Sequence, residues 1–324
     1  MKKYLYEQYF NELNEDLKVG KVRENTYKSK KSDLNTLYNY MAELGYTTEK
    51  DFFENVRQSD IDQFAEQLKT QYKPSTYNRK IATFKKFFNY LIDNSYIVNV
   101  NYFNNIKQIS NDIVEEKTKE KDIISIDKVK MLLNATEEKD QEKQSTFEFN
   151  AKRNKAIITI LTCYGSRIEE ILSTKFSDIK ETENKIQYID IPKTRVKNRL
   201  HKRIFIANAI KESLEEYLKI RNEVLPYNED DYIFSSVNGK KLTSNNINEA
   251  LSNLCKKANI NKHITCHCFR HICTLALQEK SIPEYDIDYI IGWKKGDSMQ
   301  QRYSKHMPIE KINKIISATD LLQK

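Results

Sequence analysis

The residues best suited to chemistry follow one another in the C-terminal part of the chain. They are two arginines, a lysine, a histidine and a tyrosine: Arg167, Lys193, His267, Arg270 and Tyr303. A phenol can attack the phosphorus of a phosphodiester, and fixed guanidinium groups can stabilise the charge of the transition state. Lysine and histidine can move protons at the two ends of the reaction. This set is therefore sufficient to break a phosphodiester without a metal.

The composition is that of a globular protein with room for two domains. The chain has 324 residues, of which 39% are hydrophobic and 31% are charged. No apolar run approaches the roughly 20 residues of a membrane span, and the first residues are too polar for a secretory signal. The five cysteines are odd in number and lack the spacing of a disulfide framework. We therefore expect a cytoplasmic protein without a membrane partner.

The net positive charge of the chain suggests a polyanionic partner. The formal net charge is +8 and the isoelectric point is near 8.9, which favours nucleic-acid binding where the positive charge clusters. The sequence contains neither of the common glycine-rich phosphate-binding loops. It therefore predicts no nucleotide cofactor.

Helices are predicted throughout the N-terminal region. Apolar residues recur at helical spacing from Tyr27 to Leu44, and a second helix opens near Ser75, which we expect at its N-cap. The apolar stripe of this second helix is formed by Tyr77, Ile81, Phe84, Phe88 and Leu91. Four cations away from the stripe form either a solvated helix face or a surface that contacts phosphates: Arg79, Lys80, Lys85 and Lys86.

A polar, aperiodic stretch separates two parts of the chain. It covers residues 105–122 and predicts a linker between a helical domain at 1–104 and a second domain at 123–324. In the second domain, residues 186–192 and 203–206 predict an antiparallel strand pair. Helices are predicted at 156–163, 209–220, 244–258, 267–278, 283–290 and 309–322. The fold class is therefore mostly α, of the α+β type, with a small antiparallel sheet.

Arg167 stands at the start of a helical turn, directly after the segment that Gly165 ends. Glu170 follows three residues later and can hold the guanidinium group so that it faces an anion. The alternative is an ordinary surface arginine paired to the same carboxylate.

The turn between the two predicted strands is strongly basic. Residues 193–203 carry six lysines or arginines and no acid. Charge of this density is mutually repulsive unless a polyanion neutralises it, so a nucleic-acid contact is favoured over a solvated hairpin tip. The candidate contacts beyond Lys193 are Arg195, Lys197 and Arg199.

Histidine and cysteine are dense between residues 263 and 273, which raises the possibility of a metal site. His267 and His271 are four residues apart, as metal-binding pairs often are. The glutamate of the zinc-protease motif and the usual cysteine spacing are both missing, so we predict no metal. In the phosphoryl interpretation, His267 and Arg270 lie one helical turn apart and can contact one phosphate.

These segments, taken in order, resemble the tyrosine recombinases of the phage integrase family, which includes the Xer and Cre enzymes. The matching residues lie at 165–172, 193–203, 267–271, 292–293 and 302–306, so the resemblance covers the second domain nearly end to end. Residues 73–91 look like part of the family's core-binding domain. The resemblance implies a helical DNA-binding domain followed by a catalytic domain of the integrase fold.

Departures from the family pattern include Ser166 and Cys268, which stand at usually apolar positions, and two features of the reactive residues. Most members have a histidine where this chain has Trp293, although Cre also has a tryptophan there. An indole N–H can donate to a phosphate oxygen but cannot carry a proton, and a packing role at the end of a helix is the alternative. Tyr303 follows Trp293 by ten residues, one more than the family spacing, which leaves Tyr289 as a second candidate nucleophile.

The resemblance implies a site-specific recombinase, either Xer-like or a small mobile-element integrase, that cleaves and rejoins duplex DNA through a covalent 3′-phosphotyrosine. Tyr303 would attack the scissile phosphate, while Arg167 and Arg270 hold its non-bridging oxygens. Lys193 would protonate the departing 5′ oxygen, and His267 would handle the proton of the tyrosine. No metal, ATP or other cofactor is implied.

The resemblance also implies the partners. Two protomers would bind one site on double-stranded DNA and four would form the synapse, with a final helix at about 309–324 docked on a neighbouring protomer and not on its own. Such a protein would work in the cytoplasm on the nucleoid, and an accessory or directionality protein stays possible. The main alternative is a non-catalytic DNA-binding or accessory protein of the same fold. A relaxing topoisomerase or a telomere resolvase would use the same chemistry.

Overall fold

The computed structural model describes residues 3–97, 100–110, 124–137, 144–196, 201–206, 208–292 and 307–322. The chain divides into two compact units, residues 1–118 and 119–324. Both contain helices, and the second also contains a small antiparallel sheet. The predicted fold class is confirmed.

The first unit is helical and has a core rich in aromatic rings. Phe52, Phe84, Phe87, Phe88 and Phe103 are fully buried in it. Its helices are α1 (Tyr4–Lys18), α2 (Glu24–Glu43), α3 (Glu49–Asn55), α4 (Gln58–Gln71) and α5 (Pro74–Asp93), followed by a short 3-10 turn (Tyr102–Asn105).

Helix α5 contains the predicted apolar stripe, but its start differs from the prediction. Lys73 is the N-cap and Pro74 the first helical residue, so Ser75 lies inside the first turn. A proline is favoured at the first helical position because it has no N–H group to satisfy and its φ suits the helix. The expected capping role of Ser75 is therefore wrong.

Residues 105–110, at the start of the predicted linker, pack against the first unit. The Asn78 side chain accepts from the Ile109 N–H at 2.9 Å and donates to the Ile109 carbonyl at 2.8 Å. Ile106 is buried in the same core. Residues 111–122, the rest of the predicted linker, lie outside the described residues.

The four cations of α5 do not form one solvated face. Lys80 is buried and its ammonium lies 3.2 Å from a carboxylate oxygen of the fully buried Asp33, on α2. The half-exposed Arg79 contacts the same carboxylate at 2.5 Å, and the Lys85 ammonium faces backbone carbonyls of the 3-10 turn segment. The expectation that Lys80 lies on an exposed face is wrong, because its partner comes from another helix.

We predict that Asp33→Asn strongly destabilises the first unit. The substitution keeps the shape of the side chain but leaves the buried Lys80 without its counter-charge, and breaking a buried pair in this way typically costs about 3–5 kcal/mol. Urea unfolding followed by circular dichroism would measure the loss. Glu66→Gln is the matched control, since Glu66 pairs with Lys69 at an exposed position and should cost no more than about 1 kcal/mol. Equal losses in the two variants would contradict the prediction.

The second unit surrounds one long buried helix. This helix, Gln144–Tyr164, packs against the helices at Ala209–Val224 and Cys266–Glu279. We number the helices of this unit α6 (Ile126–Ala135), α7 (Gln144–Tyr164), α8 (Ile168–Leu172), α9 (Ala209–Val224), α10 (Ser244–Lys257), α11 (Cys266–Glu279), α12 (Glu284–Ile291) and α13 (Ile309–Thr319).

The sheet of the second unit has three antiparallel strands in sequence order. They are β1 (Ile179–Glu181), β2 (Gln187–Ile191) and β3 (Lys202–Phe205). In the register of β2 and β3, Ile189 is opposite Ile204 and Ile191 is opposite Lys202. The predicted strand pair is confirmed. The sequence did not reveal β1, because a strand of three residues is too short to show an alternating pattern.

Helix α13 packs on its own unit in this single chain. Ile312, Ile315 and Ala318 are buried in the core of the second unit. Lys311 forms an ion pair with the buried Asp286 of α12, and the Lys280 ammonium of the α11 C-cap lies 3.2 Å from the Ala318 carbonyl. Docking on a neighbouring protomer would require these contacts to break, and it stays a prediction.

Candidate active site

Arg167 is fixed where α7 gives way to α8. It is the N-cap of α8, and the carboxylate of Glu170 accepts its guanidinium N–H at 3.0 Å and its backbone N–H at 3.3 Å. Glu170 is almost fully buried, whereas the Arg167 side chain is 27% exposed. The predicted pairing is confirmed, and it orients a guanidinium group that solvent or a ligand can still reach.

Arg270 connects three helices from a buried position on α11. The side chain is only 5% exposed. Its Nη1 group donates to the Gly165 carbonyl after α7 at 2.7 Å and to the Ile291 carbonyl at the end of α12 at 2.8 Å. Arg270 is thereby held close to the chain segment that carries Arg167.

The site has an excess of positive charge. Burial and the neighbouring Arg167 lower the pKa of Arg270 to about 10, so the guanidinium stays charged at neutral pH. A third cation, Lys202, is buried beside these groups, and Glu170 is the carboxylate that opposes them. Cations that repel one another in a buried site are stabilised by a bound anion, so this arrangement suits a phosphate.

Lys202 was counted in the sequence only as part of the basic turn. Its ammonium lies 3.5 Å from the Tyr164 carbonyl and 3.4 Å from the Ile291 carbonyl. The signal that could have revealed it is the alternation along β3, because Lys202 lies on the same face as the buried Ile204.

Gly165 permits the close approach of α7, α11 and α12. Its φ is +51°, and a Cβ atom there would lie 2.6 Å from Cδ1 of Ile291 and 3.2 Å from Cβ of Cys273. A side chain at this position would therefore strain the backbone and also push apart the helices that Arg270 connects.

We predict that Gly165→Ala lowers the free energy of unfolding by about 1–3 kcal/mol, through backbone strain and overpacking. Gly239→Ala is the matched control in the same unit, since Gly239 also has positive φ but its nearest neighbour would lie 3.9 Å from the new Cβ. Urea unfolding of both variants separates the two causes. A Gly239 variant that loses as much stability as the Gly165 variant would show that strain alone acts.

The basic hairpin is neutralised in part from within the protein. Arg195 forms a two-pronged ion pair with Asp178, at 2.5 and 2.7 Å, and also donates to the Ser173 carbonyl at 2.7 Å. The segment before β1 therefore supplies the acid that the turn lacks, and the charge of Arg195 is compensated within the protein, contrary to the prediction. Lys193 is exposed. Lys197 and Arg199 lie outside the described residues.

Ionic contacts fix the base of this hairpin. The Asp190 carboxylate on β2 lies 2.6 Å from Nε2 of His201 and 2.8 Å from the ammonium of Lys180 on β1. Burial alone would raise the pKa of Asp190, but these two donors hold it down at about 2. The carboxylate is thus ionised at any physiological pH and holds the strands on either side of Lys193 together.

His267 lies on the exposed side of the first turn of α11, three residues before Arg270. Its ring meets the His271 ring edge-on, with centroids 4.7 Å apart. Across the part of the chain that the structure describes, no three His, Cys, Asp or Glu side chains cluster as a metal site. Trp293 and Tyr303 lie outside the described residues, beyond Gly292, which ends α12 with φ of +80°.

Comparison with known proteins identifies the family. Residues 123–308 match the Phage integrase family, and residues 7–95 match the Phage integrase, N-terminal SAM-like domain. The first match alone covers more than half of the chain. The chain therefore belongs to the phage integrase family.

Individual relatives match over shorter stretches. The chain is 30% identical over 140 residues to the tyrosine recombinase XerC of Leptospira interrogans, which is 43% of this chain and 42% of that protein. The chain thus spans about half the length, or less, of the curated relatives it matches.

Solved structures match over nearly the whole chain. A lambda integrase(75-356) dimer bound to a COC' core site has a TM-score of 0.67 at 15% identity, over 94% of this chain and 96% of that one. The XerH site-specific recombinase bound to palindromic difH substrate, in a post-cleavage complex, has a TM-score of 0.64 at 17% identity, over 90% and 79%. At these identities the likeness defines the fold. Among the described helices, none is long and apolar enough to cross a membrane.

Proposed function

We propose that this protein is a site-specific tyrosine recombinase that cleaves and rejoins duplex DNA through a covalent 3′-phosphotyrosine. The observation that carries the proposal is the cationic site around Arg270. Arg270 is buried within reach of the Arg167 segment, and its pKa is lowered by its burial and by Arg167. Two fixed guanidinium groups of this kind suit the non-bridging oxygens of a scissile phosphate.

Each remaining group has a role in the same reaction. Tyr303 attacks phosphorus and forms the covalent link, which releases a 5′-hydroxyl. Lys193, on the hairpin that Asp190 braces, protonates the departing 5′ oxygen, and His267 takes part in moving the proton of the tyrosine. The indole of Trp293 donates a hydrogen bond to a phosphate oxygen. The covalent link conserves the energy of the phosphodiester bond, so rejoining needs neither ATP nor a metal.

Double-stranded DNA is the substrate, and the contacts beyond the site are electrostatic. Arg79, Lys85 and Lys86 of the first unit, with Lys197 and Arg199 of the hairpin, are the proposed phosphate contacts. Lys80 and Arg195 support the surface through internal ion pairs. The protein acts on the nucleoid in the cytoplasm, as a dimer on one site and a tetramer in synapsis.

Trapping the covalent intermediate tests the proposal. Wild-type protein, in the presence of a chelator, is mixed with nicked suicide duplexes tiled from the source genome, and adducts that survive SDS are collected. Mass spectrometry of the digested adduct identifies the linked residue, and sequencing identifies the DNA. We expect Tyr303 to carry the 3′-phosphate.

Two other outcomes would contradict the proposed function or its mechanism. Tight DNA binding without any adduct would support the non-catalytic accessory protein of the same fold. Adducts that appear only when the chelator is omitted would contradict the metal-independent mechanism.

A further inference from the structure

Lys202 is an unusual residue for its position. It begins β3 on the face that Ile204 also occupies, opposite Ile191 across the strand pair. Only 3% of its surface is exposed. An apolar side chain would be the ordinary choice there, because burying an ammonium group is unfavourable unless it is paired. A local exception of this kind is expected where function requires it.

The contacts of Lys202 parallel those of Arg270. Arg270 donates to the carbonyls of Gly165 and Ile291, and Lys202 faces the carbonyls of Tyr164 and Ile291. Both cations therefore join the end of α7 to the end of α12, one from α11 and the other from the sheet. Ile291 precedes Trp293 by two residues and Tyr303 by twelve.

We propose that Lys202 is a positioning residue of the active site, which holds the end of α12 against the end of α7 and fixes Arg270 and the start of the segment that carries Trp293 and Tyr303. This inference rests on the proposed function for its consequence in catalysis. The effect of Lys202 on the end of α12 follows from the described contacts alone. Lys202 itself does not contact the substrate.

The electrostatic surroundings of Lys202 support a role for its charge. Burial lowers its pKa to about 8, Glu170 opposes this shift, and Arg270 and Arg167 add to it. The titratable groups that act on Lys202 are Glu170 and Arg167 of the α8 turn and Arg270 and Cys273 of α11. A phosphate bound by the two arginines would offset their repulsion of Lys202 and favour its charged form.

The sign of the pH effect follows from this pKa. An unfolded lysine titrates near 10.4, so between about pH 8 and 10 the unfolded chain binds more protons at this residue than the folded one. The free energy of unfolding should therefore rise over that window in the wild type. The charge that serves the site is lost over the same window, so its contribution to cleavage should fall.

Three variants test the proposal. Lys202→Met keeps an unbranched side chain as far as Cε and removes the ammonium group, and Lys202→Arg keeps the charge at all pH values. Lys240→Met makes the same change as Lys202→Met at an exposed lysine of the same unit. At pH 7 we expect Lys202→Met to form the adduct about 10- to 100-fold more slowly, as for loss of a positioning contact. DNA affinity should change by less than about threefold, and Lys202→Arg, which keeps a charged donor, should be faster than Lys202→Met. The ratio of wild-type to Lys202→Arg rates should fall as the pH rises from 7 to 10, because only the arginine stays charged.

Amide hydrogen exchange of Gly292 in the DNA-free protein tests the positioning role without catalysis. The Gly292 N–H donates to the Asp288 carbonyl at 2.8 Å in the last turn of α12. We expect several-fold faster exchange in Lys202→Met at pH 7 and no change in Lys240→Met. Unchanged exchange in Lys202→Met would overturn the inference, as would an unchanged rate of adduct formation. A wild type that forms no adduct would defeat the proposed function instead, and the exchange experiment would still decide the role of Lys202.

Discussion

Tyr303→Phe is expected to eliminate the covalent protein–DNA adduct while leaving DNA affinity within about threefold of the wild type, since affinity comes mostly from phosphate contacts elsewhere. The substitution removes one oxygen, and that oxygen is the proposed nucleophile. Loss of a catalytic nucleophile typically lowers the rate by about 10⁴-fold or more. An SDS gel shift of a labelled nicked duplex measures the adduct, and a native gel shift measures affinity.

Tyr289→Phe is the matched control, because Tyr289 is the other tyrosine considered as nucleophile. Tyr289 lies on α12, and burial raises the pKa of its phenol to about 12. A phenol that ionises so reluctantly is a poor nucleophile, so this variant should keep the adduct. An adduct that survives in Tyr303→Phe and disappears in Tyr289→Phe would identify Tyr289 as the nucleophile.

Arg270→Lys is expected to lower the rate of adduct formation by about 10²–10³-fold, the usual effect of removing one donor from the charge developing in a transition state. Lysine keeps the charge but lacks the planar fork with which arginine can hold two carbonyls and still face a phosphate. The Arg270→Lys variant would therefore lose contacts that join Gly165 and Ile291 to α11 in the wild type. Single-turnover cleavage of the suicide duplex at saturating protein measures the rate independently of binding.

Arg57→Lys, the same change at an exposed arginine of the first unit, is the control for Arg270→Lys. Thermal unfolding of both variants shows whether Arg270→Lys also loosens the second unit. An Arg270→Lys protein that cleaves at the wild-type rate would remove Arg270 from the catalytic set. A rate loss matched by global unfolding at the assay temperature would reduce its role to support of the fold.

Local features of the sequence determined much of the fold. The apolar stripe of α5 predicted a helix because side chains three and four residues apart share one face of a helix. The strand pair β2–β3 followed from alternation. The ion pair of Arg167 with Glu170 was predictable for the same local reason, since the two residues are one helical turn apart. The order of the reactive residues along the chain then indicated the family.

Contacts between distant segments were decided only by the tertiary structure. Lys80 is buried because it pairs with Asp33 of another helix, and not exposed on a solvated face as predicted. Arg195 pairs with Asp178, an acid that lies outside its own turn.

The contacts at the centre of the site also join residues that are far apart in the sequence. Arg270 reaches the Gly165 carbonyl 105 residues away in sequence, and Lys202 reaches the Ile291 carbonyl 89 residues away. The sequence by itself showed which reactive groups this protein has and predicted many of the described helices and strands, because periodicity and short spacings act within one element. Which cations are buried, and which carbonyls they hold, depended on packing between elements, and only the folded chain brings those groups together.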